Sequence, residues 1–179
     1  TDHLGIERKI VERAFSTFVP LPHRLQDIGV HCGIRWINDS ISTTPQSALA
    51  AIDVFEQELS AIILGGQDRG YHFADLAKHI VSLGVTAYIL PGGDAIADAI
   101  RDAGGQPIMM NDFHEIVRDV LARYSSDYAL PACRQARRTT HYVPICLLSP
   151  ASPSYGQFTN FEDRGEQFVS AIKYQTKLR

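Results

Sequence analysis

The amino-acid sequence predicts an α/β protein, with a mostly parallel sheet, helices on both of its faces, and a β-hairpin in front of it. Two observations carry that expectation. After the hairpin, strand-like and helix-like periods alternate four times along the chain. The strand segments are also short and apolar throughout, as strands are when helices cover both faces of a parallel sheet.

Residues 4–15 have helical spacing, with Leu4, Ile6, Ile10, Val11 and Ala14 apolar among charged positions, and Pro20 and Pro22 break the segment. Leu25–His31 and Ile34–Asp39 each alternate, and Cys32-Gly33 between them marks a hairpin with a tight turn. Thr43–Glu58 reads as a helix, with Thr43 or Thr44 as its N-cap and Pro45 in its first turn. Ala61–Leu64, closed by Gly65-Gly66, is a buried strand, and the helical spacing of Ala74–Leu83 ends at Gly84 as a C-cap. Val85–Leu90 is strand-like, Asp94–Ala103 a helix, Pro107–Met110 a weak strand and Asp112–Tyr124 a helix. Val143–Leu148 is a strand and Asn160–Tyr174 a final amphipathic helix. Ser125–Thr140 fits no period and is expected to be a surface loop. No internal repeat occurs.

A chain of 179 residues and 19.8 kDa suits a single domain, long enough to bury roughly 70% of its unfolded surface. With 45% hydrophobic and 21% charged residues it is not a disordered segment. Seventeen basic against 20 acidic side chains leave a net charge of −3, so neither nucleic acid nor an anionic membrane is an expected partner. The longest stretch free of Asp, Glu, Lys and Arg, Thr139–Phe161, contains Pro144, Pro150 and Pro153 and cannot be a membrane helix. The N-terminus is charged and amphipathic, without an apolar signal core, and the missing initiator Met fits a piece of a longer protein. Cys32, Cys133 and Cys146 are odd in number and widely spaced, which fits a reduced, cytoplasmic compartment with the cysteines acting as small hydrophobes.

Parallel sheets bind ligands at the carboxyl ends of their strands, so the loops after Asp39, Leu64, Leu90 and Leu148 matter most. Gly65 and Gly70 have the G-x-x-x-x-G spacing of a phosphate loop, but Tyr71-His72 stands where its Lys-Ser or Lys-Thr belongs. A Gly-rich turn that presents Arg69 to an anion, or a plain turn with a solvated Arg, are the remaining readings. Residues 38–45, NDSISTTP, place hydroxyls and backbone N–H groups at a helix N-terminus, as an anion site would, though the same residues could simply cap the helix. Ser149, Ser152 and Ser154 follow a strand end and could donate to a ligand or line an idle loop. His23 could be a base or a structural hydrogen-bonder, and Arg134, Arg137 and Arg138 read as a solvated loop. No His, Cys or carboxylate cluster has metal-ligand spacing, and no catalytic group is expected within this chain alone.

Together LPHR (21–24), WINDS (36–40), LGG (64–66) and the LLSPA…S…QF…NFE-RG segment (147–165) resemble, in order and spacing, the C-terminal domain of Mur ligases. The resemblance is greatest to the branch that adds glutamate to UDP-N-acetylmuramoyl-L-alanine. It implies a single, Rossmann-like, amino-acid-binding C-terminal domain over 1–179, cut from a cytoplasmic ATP-dependent ligase of peptidoglycan synthesis. In that family a central P-loop ATPase domain holds most of the ATP and Mg2+ and phosphorylates the alanyl carboxylate. The C-terminal domain brings in the amino acid whose amine attacks. By position, Arg24 and Asp39 would contact ATP across the domain interface, with Asn38 supporting their loop. Thr43 and Arg69 would reach the carboxylates of glutamate, and Ser154, Tyr155 and Phe161 would complete that pocket. Arg24 and Asp39 are both expected in polar loops, away from core contacts. The glutamate-adding pattern has lysines where this chain has Ile41 and Arg69, which bears on whether D- or L-glutamate is used. The alternative is a non-catalytic Rossmann-like ligand-binding or regulatory module.

Overall fold

A computed structural model describes residues 5–17, 20–125 and 143–177. In chain order these form α1 (Arg8–Ser16), β1 (Gln26–His31), β2 (Ile34–Asn38), α2 (Pro45–Phe55), β3 (Leu59–Leu64) and α3 (Ala74–Leu83). They continue with β4 (Thr86–Ile89), α4 (Asp94–Asp102), β5 (Ile108–Met109), α5 (Phe113–Tyr124), β6 (Ile145–Leu148) and α6 (Phe161–Lys177). The expected surface loop at 125–140, with Cys133 and its arginines, lies outside the described residues apart from Ser125.

One six-stranded sheet runs in the order β1-β2-β6-β3-β4-β5. β1 and β2 are the antiparallel hairpin, and every other pairing is parallel. Cys32 and Gly33 both take positive φ, 52° and 77°, the geometry a two-residue turn needs to match strand twist. β6 returns to the middle of the sheet, between β2 and β3. The order therefore reverses there, and a crevice opens beyond the carboxyl ends of β2, β6 and β3.

Side chains alternate across the parallel strands and supply two cores. On one face Ile62, Leu64, Ile145 and Leu147 pack with Ala48 and Ile52 of α2, Leu76 and Ile80 of α3, and Ile96 and Ile100 of α4. On the other, Ala61, Ile63, Cys146 and Leu148 pack with Ile116, Val117 and Val120 of α5 and Phe168 and Ile172 of α6. Continuous apolar runs were the correct signature because both faces are covered. α1 packs into neither core; none of its residues is buried. Among the described residues no helix is long and apolar enough to cross a membrane.

Candidate functional site

Four loops meet at the carboxyl end of the sheet: 20–25 before β1, 39–44 after β2, 65–73 after β3 and 149–160 after β6. Their backbones are tied to one another. Gly65 N–H donates to Pro150 O at 3.0 Å, Gln67 N–H to Pro153 O at 2.8 Å, Ala151 N–H to Ser42 O at 3.0 Å, and Ile41 N–H to His23 O at 3.1 Å. The approach is close enough to require glycine. A Cβ on Gly66, whose φ is +139°, would lie 2.2 Å from Pro153 O. That accounts for the glycine at the end of LGG, which brings backbone to backbone.

The nucleotide-side candidates divide between surface and interior. Arg24 is exposed, and among the described residues no carboxylate pairs with it within 4 Å. Asp39, expected in a polar loop, is instead buried, at 3% exposure. Its Oδ1 accepts Leu25 N–H at 3.1 Å, and its Oδ2 accepts the hydroxyls of Ser42 and, at 2.9 Å, Ser149. Burial pushes its carboxyl above the ordinary value, opposed by Ser42, Leu25 N–H, Ser149 and the charge of Arg24. Asn38 is fully buried; its Nδ2 donates to His23 Nδ1 at 3.0 Å and to Gly165 O, while its Oδ1 accepts Ser40 N–H. That network makes His23 a structural hydrogen-bonder, with φ +62° and its ring edge-on to Phe161 at 6.1 Å. Arg24, Leu25, Asp39, Ile41 and Ser42 line a recess of about 410 Å³ against Ser47, Ala50, Ala51 and Val54, mostly of α2.

Among the residues expected to meet glutamate and their neighbours, Thr44 is the N-cap of α2 in a reciprocal capping box with Ser47. Thr43, half-buried beside it, is not needed for the cap. Arg69 is exposed, with its guanidinium carbon 5.8 Å from the centre of the Tyr155 ring, within cation–π range. Ser154 is buried, Tyr155 is exposed and Phe161 is half-buried at the start of α6. The fold thus joins His23, Asn38 and Phe161 through direct contacts and Ser40, and Arg69 with Tyr155, while Asp39 is held separately by Leu25, Ser42 and Ser149.

One residue of the site was missed from sequence. Arg164 is fully buried, and its guanidinium donates to oxygens of Ser40, Gly65 and Ser152. Its signal was available, because Arg164 stands in the apolar stripe with Phe168, Ala171 and Ile172, where a charged side chain demands buried partners.

No family profile matches the chain. A UDP-N-acetylmuramoyl-L-alanine–L-glutamate ligase of Micromonospora sp. is 35% identical over 160 residues, covering 89% of this chain and 32% of that protein. A UDP-N-acetylmuramoylalanine–D-glutamate ligase of Lactobacillus delbrueckii subsp. bulgaricus is 34% identical over 178 residues, covering 95% and 34%. Among solved structures, MurF from Acinetobacter baumannii superposes with a TM-score of 0.58 at 12% identity, over 95% of this chain and 35% of that one. MurF from Thermotoga maritima, solved in complex with ADP, gives 0.53 at 13% identity over 93% and 37%. The chain spans about a third of the length of the curated relatives it matches. Over about nine-tenths of its length the chain is similar to ligases named for joining glutamate to UDP-N-acetylmuramoyl-L-alanine, and it has the α/β fold of the matching third of MurF.

Proposed function

We propose that the chain is the amino-acid-receiving domain of a cytoplasmic, ATP-dependent amide ligase that joins L-glutamate to UDP-N-acetylmuramoyl-L-alanine in peptidoglycan precursor synthesis. The observation that carries this reading is the pair of exposed guanidinium groups at the crevice, Arg24 and Arg69, which no carboxylate pairs among the described residues. Unpaired arginines beside a crevice suit an anionic ligand, since the guanidinium fork matches carboxylate and phosphate oxygens.

In this reading Arg69 grips one glutamate carboxylate bidentately, steadied by the Tyr155 ring. Thr43, spared from capping, donates its hydroxyl to the other carboxylate, and Ser154, Tyr155 and Phe161 wall the pocket. Arg24 faces the nucleotide phosphates, Asp39 sits behind it, and Asn38 holds the loop. The nearby recess has an apolar floor of Leu25, Ile41, Ala50, Ala51 and Val54 beside that cation, a donor set that fits a nucleotide. ATP, when bound, supplies the phosphoryl group that activates the acyl carboxylate. Mg2+, with most of the ATP, is assigned to a central ATPase domain of the same protein, as the resemblance implies. Closure of that domain onto this one would bring amine and acyl phosphate together and exclude water.

The choice of L-glutamate rests on Ile41 and Arg69. Relatives named for L- and for D-glutamate are equally similar to the chain, so identity does not select between them. Inverting the α-carbon exchanges the positions of amine, carboxylate and side chain, and the charges that grip them must move. Ile41 lies half-buried in the recess against α2 and supplies no charge, which leaves Arg69 as the arginine on the two loops that carry these replacements. The test is an assay of the full-length gene product with UDP-N-acetylmuramoyl-L-alanine, ATP and each enantiomer in turn. Turnover with L-glutamate is expected; a clear preference for D-glutamate overturns the assignment. The 179-residue chain alone is expected to release no phosphate from ATP above a buffer blank.

A further inference from the structure

Arg164 lies in the first turn of α6, is completely buried, and has no carboxylate within 4 Å among the described residues. A buried cation without a counter-ion is expensive unless its N–H groups are satisfied. Here they are satisfied by three separate loops. Nε donates to Ser40 Oγ at 3.0 Å and an Nη2 hydrogen to Ser40 O at 2.8 Å, in the loop after β2. Nη1 donates to Ser152 O at 2.9 Å, after β6, and more weakly to Gly65 O at 3.4 Å, after β3. The same turn of α6 reaches the fourth loop. Ser40 Oγ donates to Phe161 O at 2.8 Å, and Gly165 leaves room for His23, whose Nδ1 would stand 2.2 Å from a Cβ there.

Burial pushes the Arg164 guanidinium down to about 10, so it stays charged at neutral pH. The planar fork is what lets one side chain reach three loops at once; an ammonium offers its donors from a single point.

We propose that Arg164 is a positioning residue, which holds the loops carrying Asp39 and Thr43, Arg69, and Ser154 and Tyr155 in one fixed arrangement so that nucleotide and glutamate are gripped in register. The proposal rests on the functional reading above. It assigns Arg164 no contact with either ligand.

The test uses the full-length gene product with Arg164→Lys, Arg69→Ala, Arg24→Ala and the double variant Arg164→Lys/Arg69→Ala, each checked for a cooperative melt. Arg164→Lys is expected to lower kcat and to raise KM for both glutamate and ATP at least tenfold, with KM for UDP-N-acetylmuramoyl-L-alanine within twofold of wild type. The double variant should have a glutamate KM within twofold of the worse single variant, because Arg164 acts through the Arg69 loop. Wild-type kinetics in Arg164→Lys, equal rises in all three KM values, or multiplicative effects in the double variant would each overturn the proposal. Unchanged kinetics in both Arg69→Ala and Arg24→Ala would instead remove the functional reading, and the proposal with it. Hydrogen exchange on the unmodified protein gives a check that no misfolded variant can spoil. The amides of Ile41, Gly65, Gln67 and Ala151, which bridge the loops, should open as one unit with a common free energy. Opening constants that differ by more than tenfold among them also overturn it.

Discussion

Replacing Asp39 separates two jobs that one carboxylate performs. Asp39 is buried and accepts three internal hydrogen bonds, from Leu25 N–H and the Ser42 and Ser149 hydroxyls. Asp39→Ala leaves those three donors without their acceptor, at about 1–1.5 kcal/mol each, so a loss of about 3–4.5 kcal/mol is expected at neutral pH. Asp39→Asn keeps an oxygen for Leu25, and the two serine hydroxyls can turn to accept from its amide. Its cost is expected below about 1.5 kcal/mol. The pH dependence follows from the raised carboxyl value. The folded state binds the Asp39 proton more tightly than the unfolded state does. The contribution of Asp39 to stability therefore falls as pH rises from its ordinary value of 3.8 through the raised folded value, and is level above it. Asp39→Asn removes that slope. Urea unfolding of the purified chain across this pH range measures both effects. An Asp39→Ala chain within about 0.5 kcal/mol of wild type at pH 7 would refute the hydrogen-bond reasoning. An Asn variant with the wild-type pH slope would refute the electrostatic part.

Three further outcomes are expected. Arg24→Ala in the full-length enzyme should slow turnover roughly tenfold to a hundredfold, the cost of one charged contact, with an unchanged urea midpoint because the side chain is exposed. Gly66→Ala should destabilise the chain by about 2–4 kcal/mol in the same unfolding assay, since a Cβ at φ +139° meets the Pro153 carbonyl at 2.2 Å; a neutral variant would mean that the loops do not pack this closely. Arg69→Ala should raise KM for glutamate under either enantiomer, and Tyr155→Ala should raise it less, while Tyr155→Phe keeps the ring and should match wild type.

Much of this molecule was legible in the sequence, because its signals are local. The parallel sheet showed in apolar runs such as Ala61–Leu64, which have to be apolar on both sides once helices cover both faces. The hairpin showed in Cys32-Gly33, and the start of α2 in Pro45 and the threonines before it, each a property of a few adjacent residues. Element ends moved by a few residues, as with α6, which runs to Lys177. The motifs LPHR, NDS, LGG and SPA also mark loops that gather at the carboxyl end of the sheet. What tertiary structure alone decided is which polar side chains are buried among the loops and which stay at the surface. Arg24 and Asp39 look alike in sequence, each a charged residue in a polar loop. Only the return of β6 between β2 and β3 brings Ser149 onto Asp39 and closes it in, while Arg24 stays at the surface. Arg164 is the extreme case. Its acceptors lie 12, 99 and 124 residues away along the chain, and long-range burial of that kind depends on how the sheet is ordered rather than on any local pattern.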